Sequence, residues 1–285
     1  MDSPPPNAEQ RKNWNEQSGP RWVALQPRLD RQLAPFGLGA LDALGDLRRA
    51  RALDVGCGCG DTTLELARRV GPEGSAVGVD LSAVMIDRAR ERAAEEGLGN
   101  ASFLVRDAQA EALPGPPFGA VTSRFGVMFF DSPAAAFGAL CRASEPGARL
   151  SFVCWQPFTE CPWVTVPFGA ALPLLPEFKP APPGAPGPFA FGDPSVVRAV
   201  LQASGWAEVG VKAFQAPMVI GGGGDLEEAT EFLLKVGPTA GALRDLSEDT
   251  LAAVRAAVRE SLRPYEGPEG VSLGGSAWVV TARRA

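Results

Sequence analysis

The sequence predicts an α/β fold: a mostly parallel sheet with helices on both faces. Three observations carry this prediction. Between about residues 50 and 154, short apolar runs alternate with amphipathic segments of roughly ten to fifteen residues, the pattern of strands joined by right-handed helical crossovers. The first apolar run ends in a glycine-rich turn, Gly56-Cys57-Gly58-Cys59-Gly60, that leads into a helix. With 285 residues, 45% of them hydrophobic and 21% charged, the chain can also bury a sizeable core, as one decorated domain or about two.

Each element follows from its local signals. Residues 1 to 45 begin polar and turn amphipathic, and Trp22, Leu25, Leu29 and Leu33 step along one face of a helix. Residues 52–55 read as the first strand. A helix starts at Asp61 or Thr62, where Thr62 and Glu65 have capping-box spacing. Residues 76–80 form the second strand, and Ser82 is placed to cap a helix that ends at Gly97. Residues 102–105 and 120–123 are the next strands, Ser132-Pro133 opens a helix, and 149–154 is the fifth strand.

Prolines then crowd residues 162–194, which reads as an irregular, apolar insertion wrapping the surface as a wall or lid. Asp193-Pro194 starts a helix that ends at Gly205, and 206–214 fits a sixth strand. Helical segments at about 225–236 and 246–263 follow, and the apolar run 276–281 is a last, buried strand.

Composition narrows the chemistry. The chain has no histidine, which removes Ser-His-Asp and Cys-His nucleophile systems, the imidazole general base, and His-containing zinc and iron sites. Proton transfer is left to carboxylates, Lys, Tyr, Cys or water. A net charge of −6 without a basic block argues against a nucleic-acid partner. Apolar stretches are too short or too broken by proline to span a membrane, and the polar start lacks a signal-peptide core. Five cysteines do not form a disulfide framework, so a reduced, cytoplasmic protein is expected. Cys57 and Cys59 read as small residues in a crowded turn rather than metal ligands.

The glycine turn sits where free helix N–H groups and a close backbone approach favour a ligand. Asp80 ends the second strand beside it, where a carboxylate can accept both hydroxyls of a ribose. A dinucleotide fingerprint would need glycine at position 61; Asp61 stands there instead, and an acid at a helix start repels a pyrophosphate. A nucleoside without phosphates fits better, with Asp54 facing an ammonium group directly or through water.

The runs LDVGCGCGDTTLELA, GVDLSAVMIDRAR and FLVRDAQ resemble the class I S-adenosylmethionine-dependent methyltransferases, in particular the bacterial small-molecule branch related to quinone C-methyltransferases. The resemblance covers roughly residues 14 to 155. It implies a Rossmann-like, mostly parallel seven-stranded sheet with an antiparallel last strand and cap insertions. It also implies an N-terminal helical lid over 1–45 and a methyltransferase domain over 46–285, with a Pro-rich insertion at about 156–192 and a helical one at about 224–264. The expected cofactor is S-adenosyl-L-methionine, leaving as S-adenosyl-L-homocysteine.

Residue by residue, the resemblance places Gly56 and Gly58 at the methionine part, with Asp54, Cys57 and Thr62 as further cofactor-binding candidates. It places Asp80 at the ribose diol, Leu81 and Met85 about the adenine, and Asp107 and the Ala108 N–H at its edge. Ser123 and Arg124 are expected near the sulfonium and acceptor, and Trp22 is a candidate stacking residue from the lid. More than half of the Phe, Trp and Tyr residues lie between Phe125 and Phe191, including Phe129, Trp155, Trp163 and Phe178. That cluster suggests a covered pocket for an apolar or aromatic small molecule, with Phe125, Phe129, Trp155 and Trp163 as its lining. Arg124, Glu160 and Tyr265 are candidates for catalytic roles, and Asp131 is a further possible base. A cyclase or sensor that binds the cofactor without transferring methyl, and a nicotinamide oxidoreductase, remain as alternatives. The protein is expected to act as a monomer or homodimer on a small-molecule acceptor.

Overall fold

The computed structural model describes residues 7–175, 182, 184–243 and 246–285. Three helices lead the chain: α1 (Ala8–Glu16), α2 (Ser18–Ala24) and α3 (Gln26–Ala43). The α/β body follows as β1 (Arg51–Val55), α4 (Asp61–Val70), β2 (Ser75–Asp80), α5 (Ala83–Glu95), β3 (Ala101–Val105), β4 (Phe118–Arg124), α6 (Pro133–Arg142) and β5 (Ser144–Trp155). Then come α7 (Pro162–Ala171), α8 (Pro194–Ala203), β6 (Trp206–Val219), α9 (Leu226–Leu233), α10 (Pro238–Ala242), α11 (Glu248–Leu262), β7 (Glu266–Gly267) and β8 (Gly270–Arg284).

The sheet runs in the order β3-β2-β1-β4-β5-β8-β6, with the two-residue β7 paired to β8. The first five strands are parallel, and β8 is antiparallel to both β5 and β6. This is the mostly parallel, Rossmann-like sheet with an antiparallel last strand. Strand order reverses between β1 and β4, so a crevice opens at their carboxyl ends, where open α/β sheets bind ligands. Parallel register aligns Asp54 with Gly78 and Thr122, and Asp80 with Val105, which brings the functional strand ends to one edge.

Helix α3 is part of the main core rather than a loose appendage. Its Leu29, Leu33 and Phe36 are buried in the cluster that holds Leu53, Val121 and Phe152 of β1, β4 and β5. No helix among the described residues is long and apolar enough to cross a membrane.

Several local expectations change. Trp22 and Leu25 do not share one helix with Leu29 and Leu33, because the chain breaks at Leu25 between α2 and α3. Thr62 makes no capping box: α4 is capped by Gly60 in the left-handed region, and Thr62 lies buried in the first turn. Ser82 occupies an N-cap position, but its hydroxyl donates to the Trp14 carbonyl at 2.7 Å, a tertiary bond instead of a cap. Asp193 does cap α8, accepting from the Ser195 N–H, and a capping box forms at Asp225 and Glu228.

Part of the proline-rich segment is helical. Pro162 takes the first position of α7, where its missing N–H costs nothing, and Trp163, Val164 and Phe168 are buried as α7 packs on α11. That burial outweighs the cost of about 3 kcal/mol for the internal Pro167. Strands β6 and β8 run well past 206–214 and 276–281, pairing from Trp206–Arg284 to Val219–Ser272. Pro217 is tolerated because β6 is an edge strand.

Candidate functional site

Glycines of the β1–α4 turn make close approaches that a side chain would block. A Cβ on Gly56 would lie 2.7 Å from the Gly126 Cα, and one on Gly58 would lie 2.9 Å from the Met85 methyl; both residues have left-handed φ, +67° and +55°. The turn is tied to β2 by the Gly56 and Cys57 N–H groups, which both donate to the Val79 carbonyl. Asp80 completes the frame: its carboxylate accepts from the Gly58 N–H at 2.8 Å and from the Ser82 N–H at 2.9 Å. The side chain is only half-buried, so lone pairs remain for a ligand.

Asp54 lies fully buried beneath the turn. Its Oδ2 accepts from the Thr63 hydroxyl at 2.7 Å, and its Oδ1 has no hydrogen-bond partner. Burial pushes this carboxyl up to about 7, against the pull of the Thr63 hydroxyl and the Arg124 charge. Thr63 gave no signal beyond its sequence neighbourhood. Burial also raises the Cys57 and Cys59 thiols, the latter to about 12, so neither supplies a thiolate. No group of metal-ligand type residues occurs among the described residues. Ser123 braces the floor, donating to the Val55 carbonyl at 2.7 Å and accepting from the Gly126 N–H at 3.1 Å.

Asp107 ends the third strand turn and is almost wholly buried, as is Ala108 beside it. Its carboxylate accepts from the Gln109 N–H at 2.9 Å and from the Asn7 carboxamide at 2.8 and 3.0 Å. Helix α1 thus lies across the crevice. Asn15 donates to the Leu81 carbonyl and accepts from the Ala83 N–H, each at 3.0 Å. Trp14 packs edge-on against both Trp22 and Phe129. Trp22 therefore meets the site through Trp14. Neither Asn7 nor Asn15 was legible in the sequence, where single polar residues of a polar segment carry no periodicity.

Arg124 is held in a ring of alternating charge. It pairs with Asp61 at 2.7 Å and Asp30 at 3.1 Å, while Arg92 pairs with Asp30 at 3.0 Å and Asp61 at 3.4 Å. Glu160 and Tyr265 are not brought to Arg124: both are exposed, in short turns after β5 and α11. Asp131 is engaged with Asn7.

The expected aromatic lining divides in two. Phe125 stacks on Trp155 with centroids 3.9 Å apart, and Trp155 meets Trp163 at 4.9 Å. Phe129 instead joins Trp14. Phe36 of α3, at 5.1 Å from Trp155 and 5.5 Å from Phe125, and Phe214 of β6 complete the first group. Phe125 holds a left-handed backbone, φ +63°, uncommon for an aromatic residue and a mark of imposed strain at a strand end. Phe178 lies outside the described residues. A hollow of about 480 Å³ lies at the opposite, amino ends of the strands, around Gly71, Pro72 and Asn100. Arg68, the one charged residue of its lining, is already paired with Glu65 and Glu96.

When ionised, the three carboxylates at adjacent strand ends are acceptors only. They suit a ligand that presents hydroxyls, an amine and a positive charge, next to an apolar aromatic wall.

Comparison with known proteins agrees. Residues 52–147 match a family model described as a methyltransferase domain. The chain is 32% identical over 151 residues to aklanonic acid methyltransferase DauC of Streptomyces sp. (strain C5), covering 53% of this chain and 64% of that protein. It is 32% identical over 183 residues to nocamycin O-methyltransferase of Saccharothrix syringae, covering 61% and 65%. It is 35% identical over 137 residues to ubiquinone/menaquinone biosynthesis C-methyltransferase UbiE of Photorhabdus laumondii, covering 45% and 54%. The chain therefore spans less than two thirds of the length of these curated relatives. Among solved structures, magnesium protoporphyrin IX methyltransferase of Synechocystis, with bound S-adenosylhomocysteine, aligns with TM-score 0.55 at 14% identity over 97% of this chain and 99% of that one. The YcgJ protein of Bacillus subtilis aligns with TM-score 0.55 at 17% identity, over 87% and 97%. These two likenesses establish a shared fold.

Proposed function

We propose that the chain is a class I S-adenosylmethionine-dependent methyltransferase and that it transfers a methyl group from S-adenosylmethionine to a small apolar or aromatic acceptor. The observation that carries this is the row of carboxylates Asp54, Asp80 and Asp107 around the glycine turn. Asp80 accepts the ribose hydroxyls, and Asp107 accepts the adenine amine, with the Ala108 N–H at a ring nitrogen. Asp54, whose Oδ1 is buried without a partner, answers the ammonium of the methionine part. Leu81 and Met85 flank the adenine. Gly56, Cys57, Gly58 and Thr62 shape the turn, and Trp22 closes the lid through Trp14.

Bound cofactor supplies an electrophilic methyl group on a sulfonium. The chain's own work is alignment and exclusion of water, since in-line displacement needs little else. Phe125, Trp155 and Trp163 give the acceptor an apolar wall, with Phe129 on the lid side. Arg124 is engaged by two carboxylates, so it acts by fixing the strand end and the charge balance near the sulfonium. With Glu160 and Tyr265 at the surface, an acceptor that ionises readily, such as a phenol, enol or thiol, fits best. Relatives named for O- and C-methylation support a small-molecule acceptor of either kind.

A cyclase reading is not favoured, because the curated relatives are methyltransferases; a [4+2]-cyclase shares the fold only, at 20% identity and TM-score 0.50. Calorimetric titration with S-adenosylmethionine, S-adenosylhomocysteine and NADH tests the cofactor assignment. Micromolar binding of the first two, lost in Asp80→Ala and absent for NADH, is expected. Binding of NADH alone would return the oxidoreductase reading. Methyl transfer is then sought on a panel of phenols, quinols, amines and thiols.

A further inference from the structure

We propose that Asn7 competes with the adenine amine for Asp107, so that the first turn of α1 is a gate that sets cofactor affinity. The inference rests on Asp107 receiving the adenine, as proposed above. The Asn7 carboxamide donates to both oxygens of Asp107, at 2.8 and 3.0 Å, and Asn7 is itself 1% exposed. A carboxamide N–H₂ and the exocyclic amine of adenine are both planar and neutral, each with two donor hydrogens. The Gln109 N–H takes the remaining approach to Oδ1, at 2.9 Å. The adenine amine takes the lone pairs that the Asn7 carboxamide holds only when Asn7 withdraws.

The two ends of α1 are fastened separately, which makes such withdrawal local. At the first turn, the Asn7 N–H donates to Asp131 Oδ2 at 2.5 Å, and Asn7 Oδ1 accepts from the Asp131 N–H at 2.9 Å. Asn7 also has a left-handed backbone, φ 54°, and makes no side-chain cap for the helix. At the far end, Trp14 and Asn15 are bonded to Leu81, Ser82 and Ala83. Arg11, on the same turn, pairs with half-buried Glu111 at 3.1 Å and more loosely with Asp107 Oδ2 at 3.9 Å, so it leaves with Asn7 when that turn moves. The first turn can therefore swing out while Trp14 and Asn15 remain as the pivot. Measured affinity is then the intrinsic affinity reduced by the fraction of molecules with Asp107 free.

The test is calorimetric titration of the full chain with S-adenosylhomocysteine, with association rates from stopped flow. Asn7→Ala removes the competitor. Asp131→Ala removes the carboxylate that accepts the Asn7 N–H and so loosens this anchor, leaving only the backbone N–H of residue 131 on Asn7 Oδ1 and not touching Asp107. Each variant is expected to bind about three- to tenfold more tightly than the parent, mainly through faster association. Asp107→Ala is expected to weaken binding, and Asn7→Ala adds nothing on that background. Equal or weaker binding by Asn7→Ala, with Asp107→Ala still impaired, overturns the gate and makes Asn7 a supporting lid contact. Undiminished binding by Asp107→Ala overturns the adenine assignment itself, so the two failures are distinct.

Discussion

Asp54 shows how one buried group links stability, pH and ligand binding. Its carboxyl titrates near 7 in the folded chain, against an ordinary value of 3.8. The folded state therefore holds a proton that the unfolded state has already lost between those values. Stability falls as pH rises from about 4 to about 7 and is level beyond, a difference on the order of 4 kcal/mol. Thermal unfolding from pH 4 to 8 is expected to show that slope, and Asp54→Asn to flatten it. Because a cationic ligand favours the ionised carboxylate, S-adenosylmethionine is expected to bind more tightly at pH 8 than at pH 6. Titration of Asp54→Asn across the same range should show no such gain.

The β1–α4 turn and the turn after β4 press against each other through Gly56 and Gly126. Gly56→Ala adds a Cβ at 2.7 Å from a backbone carbon and places a side chain at φ +67°. The left-handed backbone alone costs about 1–2 kcal/mol, and neither backbone can yield without moving a strand end. A loss of about 2 kcal/mol or more in urea unfolding is expected, together with weakened cofactor binding. Gly97→Ala is the informative control: it has a left-handed φ of +66° but open space around it, so only the conformational part of the cost should appear.

Four elements meet in the ring of Asp30, Arg92, Asp61 and Arg124, which ties α3 to α5, α4 and β4. The side chains of Asp30, Arg92 and Arg124 are 14%, 12% and 11% exposed, so removing Asp30 leaves two desolvated guanidinium groups to share the one carboxylate of Asp61. Asp30→Ala is expected to destabilise the protein by about 1.5–3 kcal/mol in denaturant unfolding. A cost under 1 kcal/mol would mean that the ring behaves like an exposed ion pair.

How far the sequence reached depended on the range of the interactions involved. The strand–turn–helix alternation, the glycine turn and the acids Asp54, Asp80 and Asp107 were legible because their signals are local: periodicity, backbone freedom and position at a strand end. Proline at a first helical turn and the cap at Asp193 belong to the same class. Helix α7 was not legible, because its prolines argue against a helix until burial against α11 is counted. Nor was the hydroxyl of Ser82, which prefers the Trp14 carbonyl to its own helix. The split of Phe129 from Phe125, Trp155 and Trp163 likewise depends on which partner the fold brings near. By itself, then, the sequence determined the α/β sheet and the acidic row along its edge, since short-range sterics and patterning suffice for both. Only the tertiary structure decided which residues face those acids. Asn7 meets Asp107, and Asp30 meets Arg124, across long stretches of chain, and no local preference encodes such a pairing.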